Sequence, residues 1–234
     1  MSSGARSPAA SLEAGSGLPE LANVWWRTRL DDQALRLRER LSFAYTALYC
    51  TPLIVAGLIL IALEPLLFPV SLVSWLHAWV IPELFAYRGT RVVFPLEGAG
   101  AARPELAAQG LLGDLLGHEE RALQKQTGLA LQSGTLGTWL VGEAGALLVR
   151  PGGRRTHCFC ARVTEPNLPR SDRIAHLLLA LREDELGFAT VANHAFAGAT
   201  WRVRRRLKEH QRPALRVALD RMSSGRRRIL ATGP

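Results

Sequence analysis

The chain has 234 residues, 48% of them hydrophobic and 21% charged, with 29 Lys and Arg against 20 Asp and Glu for a net charge of +9. That composition excludes a mostly disordered chain, and three cysteines in this length exclude a disulfide scaffold. The length suits one domain of about 100–200 residues, or one plus something small. Apart from Lys125 and Lys208 every cation is Arg, amid abundant Ala, Leu and Gly. This is the compositional habit of a GC-rich bacterial genome, so Arg abundance alone names no partner.

Residues 1–18 are small, polar and Gly/Ser/Pro-rich, and a disordered N-terminus is expected there. Residues 19–40 set Leu21, Val24, Trp25, Leu30, Leu35 and Leu37 among Arg and Asp in helical fashion. Two readings fit this stretch: an amphipathic juxtamembrane helix at headgroup level, or a helix packed on a soluble domain.

Residues 41–87 carry only Glu64 and Glu83 as formal charges. Leu41 to Leu63 is an uncharged apolar run that reaches about 34 Å as a helix, against a hydrocarbon core of about 30 Å. Pro52 within it is better tolerated in a membrane helix than in an exposed soluble one. Residues 65–87 are a second, less clean run, interrupted by Pro69, His77, Pro82 and Glu83. The Glu64-Pro65 step is a natural break, since a residue before proline is pushed out of the helical region. The expectation is a membrane helical hairpin of two transmembrane helices turning near Glu64–Pro69. The alternatives are a buried two-helix soluble core and a re-entrant second segment.

Arg27, Arg29, Arg36, Arg38 and Arg40 precede the hairpin and Arg88 and Arg91 follow it. The positive-inside rule then places both termini on the cytoplasmic side of the inner membrane. Tyr45, Tyr49 and Tyr87 suit an aromatic belt, whereas Trp75 falls nearer mid-membrane than an anchor should. The run begins too late and is too long for a secretory h-region, so a retained anchor is expected.

After a linker at 88–104, residues 105–222 read as a cytoplasmic α+β domain: helix, three-stranded antiparallel meander, then two or three helices. Glu105 to Thr127 reads as one helix with Leu112, Leu115, Leu116 and Leu123 on one face and Gly128 as its cap. Strand-like runs at 138–142, 146–150 and 156–163 are separated by Glu143-Ala144-Gly145 and Pro151-Gly152-Gly153, both turn chemistry. Ser171-Asp172 opens a helix with Ile174, Leu177, Leu178 and Leu181 as its stripe. The Ala-rich Gly187 to Leu207 reads as a further helix, and Pro213 to Met222 as the last. Residues 223–234 read as a basic disordered tail.

No nucleophile elbow, phosphate-binding loop or calcium loop occurs, and no cofactor is implied. Catalytic candidates are Asp114 and His118, four apart and on one face of a continuous helix, with Glu143 and His157 as possible complements. His157, Cys158 and Cys160 are the candidate metal ligands; the cysteines share a strand face, but no second pair completes a zinc set. A metal-dependent nuclease with this element order would need an Asp on its second strand and an acid-x-Lys on its third. The third strand here reads THCFCARV and has none. His194, alone in the Ala-rich segment, reads as a hydrogen-bonded packing residue.

The charge is localised. Residues 201–228 hold eleven cations and only Glu209 and Asp220 as acids, so the excess of nine is the entire net charge. Arg202, Arg204, Arg205, Arg206, Lys208, Arg226, Arg227 and Arg228 are the candidates for contacting anionic lipid headgroups or nucleic acid. The function expected from this sequence is a hairpin-anchored membrane protein whose cytoplasmic domain is a non-catalytic binding or scaffolding module, with the lipid bilayer, anionic headgroups and an unknown protein as partners. A membrane-tethered hydrolase or nuclease-like enzyme using the acid and His groups is the alternative, with nucleic-acid binding by the Arg-rich segment as a third.

Overall fold

The computed structural model describes residues 29–95, 102–161 and 167–231, the last eight of these by backbone alone. The expected disordered N-terminus, residues 19–28 and residues 232–234 lie outside the described residues, as does the middle of the linker.

Helix α1, Asp32–Leu63, is capped by the Asp31 side chain, which accepts from the Ala34 N–H at 2.6 Å. Its 32 residues extend about 48 Å, longer than the apolar run requires. The surplus is the charged stretch to Arg40, which packs on the downstream domain. Glu64 then adopts extended backbone before Pro65, a 3₁₀ turn spans Pro65–Leu67, and α2 runs from Phe68 to Thr90. The break therefore falls at the proline step that the sequence marks. Both helices are long and apolar enough to cross a membrane.

Helices α1 and α2 are joined through small residues and polar side chains. Gly57 lies under Trp75, whose indole N–H donates to the Ile54 carbonyl at 3.3 Å, and the Ser74 hydroxyl donates to the Leu53 carbonyl at 2.7 Å. Trp75 is thus a helix–helix contact, which accounts for its place far from either end. Pro82 cannot donate to the Ala78 carbonyl four residues earlier; the Cys50 thiol of α1 reaches that carbonyl at 3.3 Å.

A 3₁₀ turn at Arg91–Val93 leads toward the domain. Two helices, α3 (Ala102–Leu115) and α4 (His118–Thr127), stand where the sequence reads one. Gly110, Gly113 and Gly117 weaken the helix locally, and the chain turns at Leu116–Gly117. Gly128 closes α4 in the left-handed region at φ 71°, as its position suggests.

The sheet has five strands, not three. β1 (Ala130–Ser133), β2 (Thr138–Val141), β3 (Gly145–Val149) and β4 (Arg155–Cys160) form a meander, and β5 (Asn193–Ala199) adds antiparallel to β4 at the edge. Between β4 and β5 lie α5 (Arg170–Glu183) and α6 (Glu185–Val191); α7 (Thr200–Arg206) and α8 (Arg212–Ala231) follow. The Ala-rich segment read as one helix is therefore helix, strand, helix. Its alanines favour a helix in isolation, but pairing with β4 outweighs that preference. The backbone of α8 runs helical through most of the expected disordered tail.

The sheet is buried on both faces. Trp139, Leu148 and Phe159 pack against Leu35 of α1, Leu112 of α3 and Leu178 of α5. Leu140, Leu147 and Cys158 pack against Val93, Val203 of α7 and Leu215 of α8. Central strands covered twice are apolar throughout instead of alternating, as TWLV and GALLV are.

A Cβ built on Gly57 would lie 2.4 Å from the Trp75 indole nitrogen. Gly57→Val is expected to force α1 and α2 apart and cost about 1–3 kcal/mol, read as a lower melting temperature of the detergent-solubilised protein. The additional change Trp75→Ala should return part of that loss.

Candidate functional site

Two polar links lie where the sheet edge meets the bases of α1 and α2. In β4, Arg155, His157 and Phe159 point to the face that α1 covers, while Thr156, Cys158 and Cys160 point to the other. β5 opposes β4 with His157 across from Ala197 and Phe159 across from His194, and one extra residue bulges between these pairs. The bulge brings His194 beside His157, with His157 Nδ1 and His194 Nε2 3.0 Å apart. From α1, Glu39 receives Arg155 Nε at 2.8 Å and stands 3.8 Å from His157 Nε2. That separation is beyond a hydrogen bond but within strong Coulombic reach. A consistent assignment gives His157 its proton on Nε2, facing Glu39, and makes its Nδ1 the acceptor from His194 Nε2–H.

Burial holds both imidazoles below the usual histidine range. For His157, desolvation outweighs the opposing pull of Glu39. For His194, desolvation leads, with His157 and Arg38 adding to it, and the value is pushed down to about 3. Both rings are neutral at physiological pH.

The second polar link lies at the base of α2. Glu83 is 3% exposed and receives both Nε (3.1 Å) and Nη2 (2.8 Å) of Arg206 on one oxygen; its other oxygen is 3.8 Å from Arg202 Nε. Arg202 also lies over the Trp201 ring, 5.1 Å from its centroid. Nearly two turns beyond Glu83, Gly89 approaches Phe196 and Cys158 so closely that a Cβ there would be 2.4 Å from Phe196 Cβ.

Between these links is a groove of about 730 Å³, within the range of ligand sites. Phe43, Ala47 and Cys50 of α1 and Ala78, Pro82 and Phe85 of α2 give it apolar walls. Residues 194–199 of β5 form its floor, and Arg155 and Arg202 lie at its polar end. Ser42 crosses it, donating to the Ala197 carbonyl at 3.1 Å.

The residues singled out from the sequence are scattered. Asp114 lies at the exposed end of α3, 3.7 Å from Arg121, while His118 opens α4 beyond the helix break, so they do not share a continuous helix face. Glu143 sits in the β2–β3 turn, 3.9 Å from Arg170. None of these three lines the groove; His157 alone belongs to the polar cluster. His157 points away from Cys158 and Cys160, and burial pushes the Cys158 thiol well above its ordinary range, against the thiolate a metal would take. Of the Arg-rich set, Arg202 and Arg206 turn to Glu83, while Arg204, Arg205 and Lys208 are exposed. The side chains of Arg226, Arg227 and Arg228 lie outside the described residues. Neither Glu39 nor the pairing role of Glu83 is marked by any motif in the sequence; their one signal is an acidic residue at each helix base.

No protein-family model, curated protein or solved structure matches this chain.

The neutral histidines give the fold a pH dependence. Their native values lie below the unfolded value of about 6.5, so acidification loads protons onto the unfolded chain first. The associated stability is present above about pH 6.5 and declines below it, for His194 by about 1.4 kcal/mol per pH unit. Between about pH 7.5 and pH 5 His194 alone should account for about 2 kcal/mol. His194→Asn should flatten that dependence, measured as melting temperature at the two pH values.

Proposed function

We propose that this chain is an integral membrane protein in which α1 and α2 form a transmembrane hairpin. Both ends face the cytoplasmic side of a bacterial inner membrane, and the α+β domain acts by binding rather than catalysis. The observation that carries the membrane reading is the uncovered apolar surface of the two helices. Of their most apolar stretches only 6% and 17%, respectively, is buried. Leu48, Leu58 and Ile59 on α1 and Val70, Val73 and Leu76 on α2 are all half exposed or more. The core of a soluble domain would cover such residues, whereas lipid solvates them without cost. Helical pairing meets the backbone groups away from Pro52 and Pro82, and the Ala78 carbonyl that Pro82 cannot reach accepts from the Cys50 thiol of the neighbouring helix, as a bilayer requires.

The orientation follows from the cationic flanks, with Arg36, Arg38 and Arg40 before the apolar run and Arg88 and Arg91 after it. The basic C-terminal segment then lies at the same leaflet, where each well-placed cation is worth about 1 kcal/mol against anionic lipid. Binding is favoured over catalysis because the groove joins an apolar wall to guanidinium groups, while Asp114, His118 and Glu143 stand apart from it.

The full-length protein expressed in bacterial cells should remain in the membrane pellet after alkaline carbonate. With the three native cysteines replaced, Leu66→Cys in the turn should react with an impermeant maleimide in intact cells, and Ser223→Cys only after permeabilisation. Release by carbonate, or labelling of position 223 in intact cells, would overturn the proposal.

A further inference from the structure

We propose that the groove between the helix bases and β5 holds one anionic phospholipid drawn from the surrounding leaflet, its phosphate at Arg155 and Arg202 and an acyl chain along Phe43, Ala47, Ala78 and Phe85. The inference rests on the membrane reading and adds to it a specific ligand and site.

The geometry of the groove is that of an amphiphile standing upright. On α1 its lining runs from Ser42 to Cys50, about 12 Å along the axis, and Cys50 meets Ala78 of α2 at the far end. That end is apolar and lies within the membrane-crossing stretch. The near end lies at the domain surface, where Arg155, Arg202 and Trp201 line it. Trp201 is half exposed and flanked by guanidiniums of Arg202 and Arg205, the placement of an aromatic at headgroup level. A ligand with an apolar tail and a charged head fits this order of surfaces; a wholly polar metabolite does not.

The sign of the charge selects an anionic head. Arg155 and Arg202 line the groove; behind them Glu39 pairs with Arg155, and Glu83 is shared between Arg202 and Arg206, so three guanidiniums stand against two carboxylates. The nearby histidines are neutral, and Arg38 acts on His194 as a further positive charge. The excess is positive, at a place where lipid and protein both lower the dielectric and strengthen a phosphate–guanidinium contact. The carboxylates hold Arg155 and Arg202 in place beforehand, which lowers the ordering cost of binding.

The test is native mass spectrometry of the full-length protein in a lipid-free detergent, with phosphatidylglycerol, phosphatidylcholine and inorganic phosphate as probes. One phosphatidylglycerol should be retained, about tenfold more tightly than phosphatidylcholine. Arg202→Ala, which removes the charge, and Ala47→Trp, which fills the apolar wall, should each weaken that retention about tenfold. Lys125→Ala, on an exposed face of α4, should leave it unchanged. Equal retention of the two lipids, retention indifferent to Ala47→Trp and Arg202→Ala, or displacement of phosphatidylglycerol by inorganic phosphate would overturn the inference. If carbonate releases the protein from membranes, the membrane reading fails whatever the spectra give. If the protein stays in the membrane and the groove variants change nothing, the lipid site alone fails.

Discussion

A carboxylate on an apolar helix needs a partner, and the Glu83 pairing is the contact on which the arrangement of this molecule depends. Glu83 is almost wholly buried near the base of α2, and an isolated charge there would cost several kcal/mol. Arg206 meets it through two donors on one oxygen and Arg202 faces the other. The pairing ties α2 to α7, the helix that follows directly on β5. On the opposite side Glu39 ties α1 to Arg155 of β4, and Asp32 ties it to the nearly buried Arg150. The sheet edge is thus gripped between the two helix bases by charges whose partners lie more than a hundred residues away in sequence.

This grip explains the composition of β5. A strand lying beneath two helices cannot carry bulky side chains on every residue, and NHAFAGA carries few. Phe196 fills the space against Gly89 and Gly198, where added side chains would collide. Ser42 covers part of the outer edge by donating to the Ala197 carbonyl, so the last strand does not offer a full unpaired edge to another chain. The groove lies between α1 and α2 above this edge, and its mixed lining follows from the apolar hairpin meeting the charged domain.

The two long apolar helices were legible because their signals are local: a long apolar run and a Glu-Pro step. β2, β3 and β4 were legible for the same reason, being short apolar runs separated by Gly-rich turns. β1 was missed because ALQS is four residues with no β-branched member. β5 was missed because Ala-rich composition has the intrinsic preference of a helix, and only the partner strand reverses it. The candidate site was barely legible. His157 stands beside the cysteines in sequence, but strand alternation turns it away from them toward His194 and Glu39, and the Ala-rich surroundings of His194 read as helix. Asp114 and His118 looked paired only while Gly117 was read as part of a continuous helix.

The two apolar helices and the α+β domain form one unit held through Glu83. The most direct measurement is a double-mutant cycle with Glu83→Ala and Arg206→Ala, followed by reversible denaturant unfolding of the detergent-solubilised protein. With Arg206 about one-third exposed, solvent screening reduces the value of a fully buried pair. Each single variant should be destabilised, and the double variant should fall short of their sum by about 1–3 kcal/mol. Strict additivity would mean that Glu83 and Arg206 do not hold each other, and would contradict the account.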